Sequence, residues 1–241
     1  MALLYKRVLI KVSGEIFSKD SDTIYNPEYL NLFIKQVLTL KKEGLDIAIV
    51  IGGGNIFRGI EGKKLQLPRV SADFMGMLAT LLNGIVLKET FEKQDQTVKL
   101  ISAIKTSLSC FEQDNPILAK QWIDEGQIIV FAGGTGHPYF TTDTTAALRA
   151  LEIGADVLFK ATKVDGVFAQ DPNTNPQAEH YDEISYIDYL KNDLKVMDAS
   201  AISLCRDNKL PIKIFNIFQQ DALLQAAKQL HFGSLITGES Q

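Results

Sequence analysis

The run Arg7-Val-Leu-Ile-Lys-Val-Ser-Gly14 decides how this chain folds. Residues 7–12 are apolar and largely β-branched apart from Arg7 and Lys11, the composition of a strand buried on both faces. Ser13-Gly14 then turns the chain at the strand's carboxyl end. The arrangement returns twice. Asp46-Ile-Ala-Ile-Val-Ile51 runs into Gly52-Gly-Gly-Asn-Ile-Phe-Arg-Gly59, and Gln127-Ile-Ile-Val-Phe-Ala132 runs into Gly133-Gly-Thr-Gly-His-Pro138. Glycine lets a backbone approach a ligand closely and aim its N–H groups at it, which makes a concave anion site. In an open α/β sheet the carboxyl edge of the strands is where ligands bind. One such loop is a common steric device. Three, each with Lys, Arg or Thr close by, point to a ligand with several phosphates or to two phosphorylated ligands.

Outward from these strands, segments of helical period fill the gaps. Pro27 opens a helix whose Leu30, Phe33, Ile34, Val37 and Leu38 form one apolar stripe, and Gly44 ends it. Further helices are expected over residues 71–93, after Pro116, and over 144–153, 199–207 and 220–230. Strands are expected over 98–103, 157–161, 212–215 and 234–237. Residues 165–192, rich in Asp, Asn, Pro and Tyr, read as turns and a short hairpin. Strands alternating with helices imply a mostly parallel sheet covered on both faces. With about seven strands and a long irregular insert, an open sheet fits better than a closed βα barrel. No linker is visible, so residues 1–241 are expected to form a single domain, with any internal border near 155–165.

Composition narrows the function. The chain is 46% hydrophobic with a net charge of −4, which excludes disorder as the main description and gives no support to binding of nucleic acid or anionic membrane. No apolar run is expected to reach the ~18 residues of a membrane span. The opening Met1-Ala-Leu-Leu-Tyr-Lys-Arg7 carries its charges after its apolar stub, unlike a secretory signal. Cys110 and Cys205 form no Cys-x-x-Cys pair, so neither a disulfide framework nor a zinc site is expected. A cytoplasmic globular protein is the expectation.

The chemistry-bearing residues lie at the same sheet edge. Lys11 stands in an apolar strand and by alternation points with Leu9 and Ser13, as an edge lysine or as a charge aimed at a phosphoryl group. Residues 58–69 carry Arg58, Lys63, Lys64 and Arg69 against Glu61 alone, a cationic loop in an acidic chain. Asp73 lies near a helix start, Asp143 and Asp198 just before helices where either serves equally as an N-cap, and Asp165 and Asp171 follow a strand. His137, His180 and His231 match no metal-site spacing, and no protein metal site is expected. The P-loop and Gly-x-Gly-x-x-Gly fingerprints are both missing, as is a nucleophile elbow. Phosphoryl transfer needs only positioning and charge neutralisation, which suits a chain with Lys, Arg, Asp and backbone amides.

Six segments in order carry a resemblance: Lys11-Val-Ser-Gly-Glu15, Gly52-Gly-Gly-Asn-Ile-Phe-Arg-Gly59, Ala72-Asp-Phe-Met-Gly-Met-Leu-Ala-Thr80, Gly134-Thr-Gly-His-Pro-Tyr-Phe-Thr-Thr-Asp143, Lys163-Val-Asp-Gly-Val167 and Met197-Asp-Ala199. Together they resemble the bacterial UMP kinases of the amino acid kinase fold group, over essentially the whole chain. The resemblance implies an αβα sandwich around a largely parallel open sheet, with an acceptor part at about 1–155 and an ATP part at about 156–241. It implies transfer of the ATP γ-phosphoryl group to UMP in pyrimidine nucleotide biosynthesis, with Mg²⁺ bound through the ATP phosphates. By position, Lys11, Val12, Ser13, Gly14, Gly54 and Arg58 would meet the ATP phosphates, and Thr162, Phe168 and Asp171 the adenosine. Gly53, Asp73, Thr135, Gly136, His137, Pro138, Tyr139, Phe140, Thr141 and Thr142 would hold UMP. Lys11, Arg58, Asp143 and Asp198 would form the catalytic centre. The resemblance also implies a homohexamer, inhibition by UTP and allosteric control. Where relatives use Arg and His to bind activating GTP, this chain offers Lys88, Glu92 and Lys99, which implies weak activation or none. Phe168, His137 and Ile16 stand where relatives commonly have Tyr, Asn and Ala. A kinase of the same fold acting on a carboxylate or carbamate, and a nucleotide-sensing protein without turnover, are the alternatives; a nicotinamide oxidoreductase is a more distant one.

Overall fold

The computed structural model describes residues 2–19, 22–172 and 174–238. In chain order the first half comprises β1 (Arg7–Val12), α1 (Pro27–Lys42), β2 (Asp46–Ile51), α2 (Gly59–Lys64), α3 (Arg69–Glu92), β3 (Val98–Ser102), β4 (Glu112–Gln113), α4 (Pro116–Asp124) and β5 (Ile128–Ala132). The second half comprises α5 (Thr142–Glu152), β6 (Val157–Thr162), β7 (Val167–Phe168), β8 (His180–Tyr181), β9 (Glu183–Ser185), α6 (Tyr186–Lys191), α7 (Ala199–Asp207), β10 (Ile212–Asn216), α8 (Ala222–Lys228) and β11 (Ser234–Thr237). Among the described residues nine strands form one open sheet in the order β4-β3-β5-β2-β1-β6-β10-β11-β9, with β1 at its centre. All neighbours pair parallel except β10 with β11.

Alternation along β1 sorts its side chains between two cores. Val8, Ile10 and Val12 join the layer built with α1, α3 and α8; Leu9 joins the layer built with α4, α5, α6 and α7. This is the expected αβα sandwich, and the described residues close no barrel. Lys11 shares the face of Leu9, the face that α5 covers.

Local signals place the helix starts. Asn26 accepts from the Glu28 N–H at 3.0 Å ahead of Pro27, and Asn115 accepts from the Ile117 N–H at 3.0 Å ahead of Pro116. Elements the periodicity did not announce are the short ones: β4, β9, α2 and α6, of two to six residues each. The cationic stretch 58–69 is therefore not a loop throughout. It holds α2, pinned by Glu61 accepting from the Arg58 N–H at 2.8 Å. The irregular insert does form a hairpin, β7–β8.

A second expectation is corrected. α3 is long and apolar enough to cross a membrane by length and composition. Here it packs on β3 and β5, and it presents Val70, Phe74, Met75, Leu78 and Leu82 outward. Occasional polar residues such as Asp73 and Asn83 hid the length of this run.

Candidate active site

The site begins with two lysines side by side. Lys11 on β1 and Lys160 on β6 are register partners on adjacent parallel strands, and both point at the start of α5. There Thr141 caps the helix, its Oγ1 accepting from the Asp143 N–H at 3.1 Å. Capping is thus done by Thr141, and α5 begins two residues earlier than the sequence suggests. Asp143 lies in the first turn instead, with its carboxylate held between the two ammoniums. Lys11 Nζ is 2.8 Å from Oδ1, and Lys160 Nζ donates to Oδ2 and to the Val196 carbonyl. All three side chains are buried. Burial by itself would raise the Asp143 pKa, but Lys11 and Lys160 reverse that and bring it down to about 2. Burial, aided by the neighbouring Lys11, lowers Lys160 to about 8 despite the attraction of Asp143. The clamp therefore carries a net positive charge at neutral pH.

Glycine loops surround it. A Cβ on Gly14 would lie 2.1 Å from Asn55 Oδ1, so this turn accepts no side chain. Asn83, buried in α3, donates to the Gly52 carbonyl and to Asn55 Oδ1, each at 2.7 Å, which ties the loop after β2 to the helix beneath it. Gly133 turns the chain after β5 with φ of +80°, and its N–H donates to Thr80 Oγ1 at 2.7 Å.

Asp73 is one of α3's inward polar groups. It accepts from the Tyr139 N–H at 2.7 Å and from Arg69 Nε at 2.8 Å, and so fixes the loop after β5 against α3. Asp198 stands at the cap position of α7, yet its side chain caps nothing; it accepts from the Thr141 hydroxyl. Asp165 accepts from Asn216 Nδ2 at 3.0 Å and Gln219 Nε2 at 2.9 Å, an anchor for the loop after β6.

Two cavities flank the clamp. One, of about 190 Å³, is lined by residues including Gly53, Gly54, Asp73, Phe140, Thr141 and Thr142. The other, of about 410 Å³, is lined by residues including Thr162, Phe168, Asp171, Leu194 and Val196. Thr135, Gly136, His137, Pro138 and Tyr139 do not line the smaller cavity; they connect Gly134 and Phe140, which do. The Val12 side chain faces the apolar core, and its carbonyl accepts from the Gly52 N–H at 2.9 Å, so only its backbone borders the site. Among the described residues no three His, Cys, Asp or Glu side chains converge as a metal site, and both Asp143 oxygens face ammonium groups.

Sequence reasoning missed Lys160 and Asn83, and it quoted Glu15 and Lys163 within the resembling segments without giving either a role. Lys160 had a legible signal, since it interrupts an apolar strand as Lys11 does. The pairing of Glu15 with both Arg58 and Lys163 had none.

Comparison with known proteins bears on the family and the fold. Residues 6–216 match the sequence pattern of the amino acid kinase family. A uridylate kinase of Methylococcus capsulatus is 42% identical over 233 residues, 97% of each chain. The crystal structure of UMP kinase from Bacillus anthracis superposes with a TM-score of 0.94 at 34% identity, covering 98% of this chain and 97% of that one. UMP kinase from Ureaplasma parvum superposes with a TM-score of 0.91, also at 34% identity, over 96% of this chain and 98% of the other. With its sheet order, its glycine loops and its full-length relatives in agreement, the chain belongs to the amino acid kinase family.

Proposed function

We propose that this protein transfers the γ-phosphoryl group of ATP to UMP, giving UDP and ADP, as a step of pyrimidine nucleotide biosynthesis. The observation that carries the reading is the buried Lys11–Asp143–Lys160 clamp standing between two cavities where glycine loops meet. Full-length relatives named for this activity support it. In this reading the ATP part is about residues 156–241, with Thr162, Phe168 and Asp171 at the adenosine. Lys11, Ser13, Gly14, Gly54, Arg58 and the Val12 backbone border the phosphates. The acceptor part is about residues 1–155, with UMP held by Gly53, Asp73 and the segment from Thr135 to Thr142.

A UMP phosphate oxygen forms the new bond to the γ-phosphorus in line, while the bond from that phosphorus to the β–γ bridging oxygen breaks. The electron pair leaves with ADP. No general base is required, because the attacking oxygen is already ionised at neutral pH. Catalysis then rests on placing charge where it develops in the transition state. Asp143 aims Lys11 and favours the charged form of Lys160, and Asp198 holds the helix cap Thr141 beside them. Mg²⁺ fits as an ion carried on the ATP phosphates, since the nearest buried carboxylate is committed to two ammoniums; it would neutralise phosphate charge.

The outward stripe of α3, with Phe74, Leu78 and Leu82 on one face, supports a homo-oligomer, which by resemblance is a hexamer. We further propose a cytoplasmic location and inhibition by UTP competing for the acceptor site. Coupled ADP release with ATP and Mg²⁺ is the test, with UMP, CMP, dUMP, glutamate, aspartate and carbamate as acceptors. Turnover with UMP well above all others is expected. Preference for a carboxylate or carbamate, or no turnover with any acceptor, would overturn the reading.

A further inference from the structure

Glu15 occupies a place among the cations that neither stability nor anion binding accounts for. It sits in the short turn Gly14–Ile16 after β1, where its N–H donates to Ser13 Oγ at 3.3 Å. Its side chain runs across Gly54 so closely that a Cβ there would lie 3.2 Å from both Cγ and Oε1. Oε1 reaches Arg58 Nε at 3.2 Å, and Oε2 lies 3.5 Å from Lys163 Nζ. Arg58 Nε also donates to the Gly54 carbonyl at 3.0 Å. Arg58 comes from the loop after β2 and Lys163 from the segment after β6, strands that flank β1 on opposite sides. One carboxylate therefore spans cations supplied by the two sides of the cleft.

These side chains are open to water, with exposures of 34% for Glu15, 54% for Arg58 and 45% for Lys163. Ion pairs so exposed contribute little to stability. A carboxylate beside a phosphate site also repels the anion that the cations attract. What the contact does accomplish is to fix the spacing of two long, rotamer-rich side chains before a substrate arrives.

We propose that Glu15 is a positioning residue for phosphoryl transfer, bracing Arg58 and Lys163 across Gly54. The proposal rests on the reading of Arg58 and the glycine loops as the transfer centre. Its test is steady-state kinetics of Glu15→Gln and Glu15→Asp with ATP and UMP, alongside urea unfolding. Glu15→Gln should lower kcat about 10–100-fold, the scale of a misplaced catalytic group. Its KM for ATP should stay level or fall, because a repelling charge has gone, and the unfolding midpoint should not move. Glu15→Asp keeps the charge but is one methylene short of spanning both cations. Its kcat should fall equally, without the drop in KM. Adding Glu15→Gln to Arg58→Ala should slow the enzyme little beyond Arg58→Ala alone. A Glu15→Gln enzyme within twofold of wild-type kcat overturns the proposal. So does a kcat loss that comes with a lower unfolding midpoint and a higher KM for both substrates. Should Arg58→Ala itself turn over normally, the transfer-centre reading falls and takes the brace with it. A slow Arg58→Ala beside a normal Glu15→Gln refutes the brace alone.

Discussion

Replacing Asp143 by Asn removes a charge and almost no volume, so it isolates the electrostatics of the clamp. The wild-type carboxylate lies 2.8 Å from Lys11 Nζ, a pair worth about 6 kcal/mol before desolvation at an effective dielectric near 20. Desolvation offsets much of that and of the second pair with Lys160. Removing one partner from a buried pair costs about 3–5 kcal/mol. Lys160 limits the damage, since its pKa is already down to about 8. Discharging it takes about 1.4 kcal/mol per pH unit, so at pH 7 the protein can shed the stranded charge cheaply. The expected loss is at the lower end, about 3 kcal/mol, read from urea unfolding at pH 7 and fixed protein concentration. Asp143→Asn combined with Lys160→Met should regain at least half of it, because one stranded ammonium is gone. Turnover should stay at least ~10²-fold down in both, as for loss of a preorganised charge. An unchanged unfolding midpoint for Asp143→Asn would refute the buried-clamp account. A double variant no more stable than the single one would assign the loss to packing rather than charge.

Because its native pKa is depressed to about 2, Asp143 contributes its stabilisation in full above about pH 4 and loses it as the pH falls through 2. Asp143→Asn should flatten that acid limb of the stability curve, and an identical limb would place the titration elsewhere. On the alkaline side, kcat/KM, which reports the free enzyme, should decline above about pH 8 as Lys160 discharges; Lys160→Arg should move the decline upward, and an unmoved limb would clear Lys160. Lys11→Ala should lower kcat ~10²–10³-fold with a smaller effect on UMP binding, and near-normal turnover in the folded variant would remove Lys11 from the mechanism. Asp73→Asn breaks the paired contact with Arg69 and should raise mainly the KM for UMP; a change confined to the KM for ATP would place Asp73 outside the acceptor site. Lys88 is already paired with Glu92, and Lys99 with Glu112 at 2.9 Å, so GTP titrated into the UMP assay should stimulate weakly or not at all. Several-fold stimulation at sub-millimolar GTP would show these lysines to be available.

The sequence by itself determined the layered parallel fold, the seven longer strands and the sheet edge that carries the site. Those follow from local rules: β-branched runs buried on both faces, helical periodicity, Pro at helix starts, and glycine where the backbone must turn. Period-2 alternation even set the face on which Lys11 points. Tertiary structure decided the rest. That Asp143 pairs with Lys11 and Lys160 depends on β1 and β6, some 150 residues apart in the chain, lying in register beneath α5. Strand and helix periodicity carries no information on such pairing across the sheet; only the family resemblance put Lys11 and Asp143 in one centre, and it left out Lys160. The same holds for Glu15, whose partners come from strands on either side of β1, and for Asp73, which looks like a helix-start charge until the loop after β5 folds onto it. Short elements such as α2 and β9 also escaped, since two to six residues are too few to express a period; neighbours, not propensity, hold them.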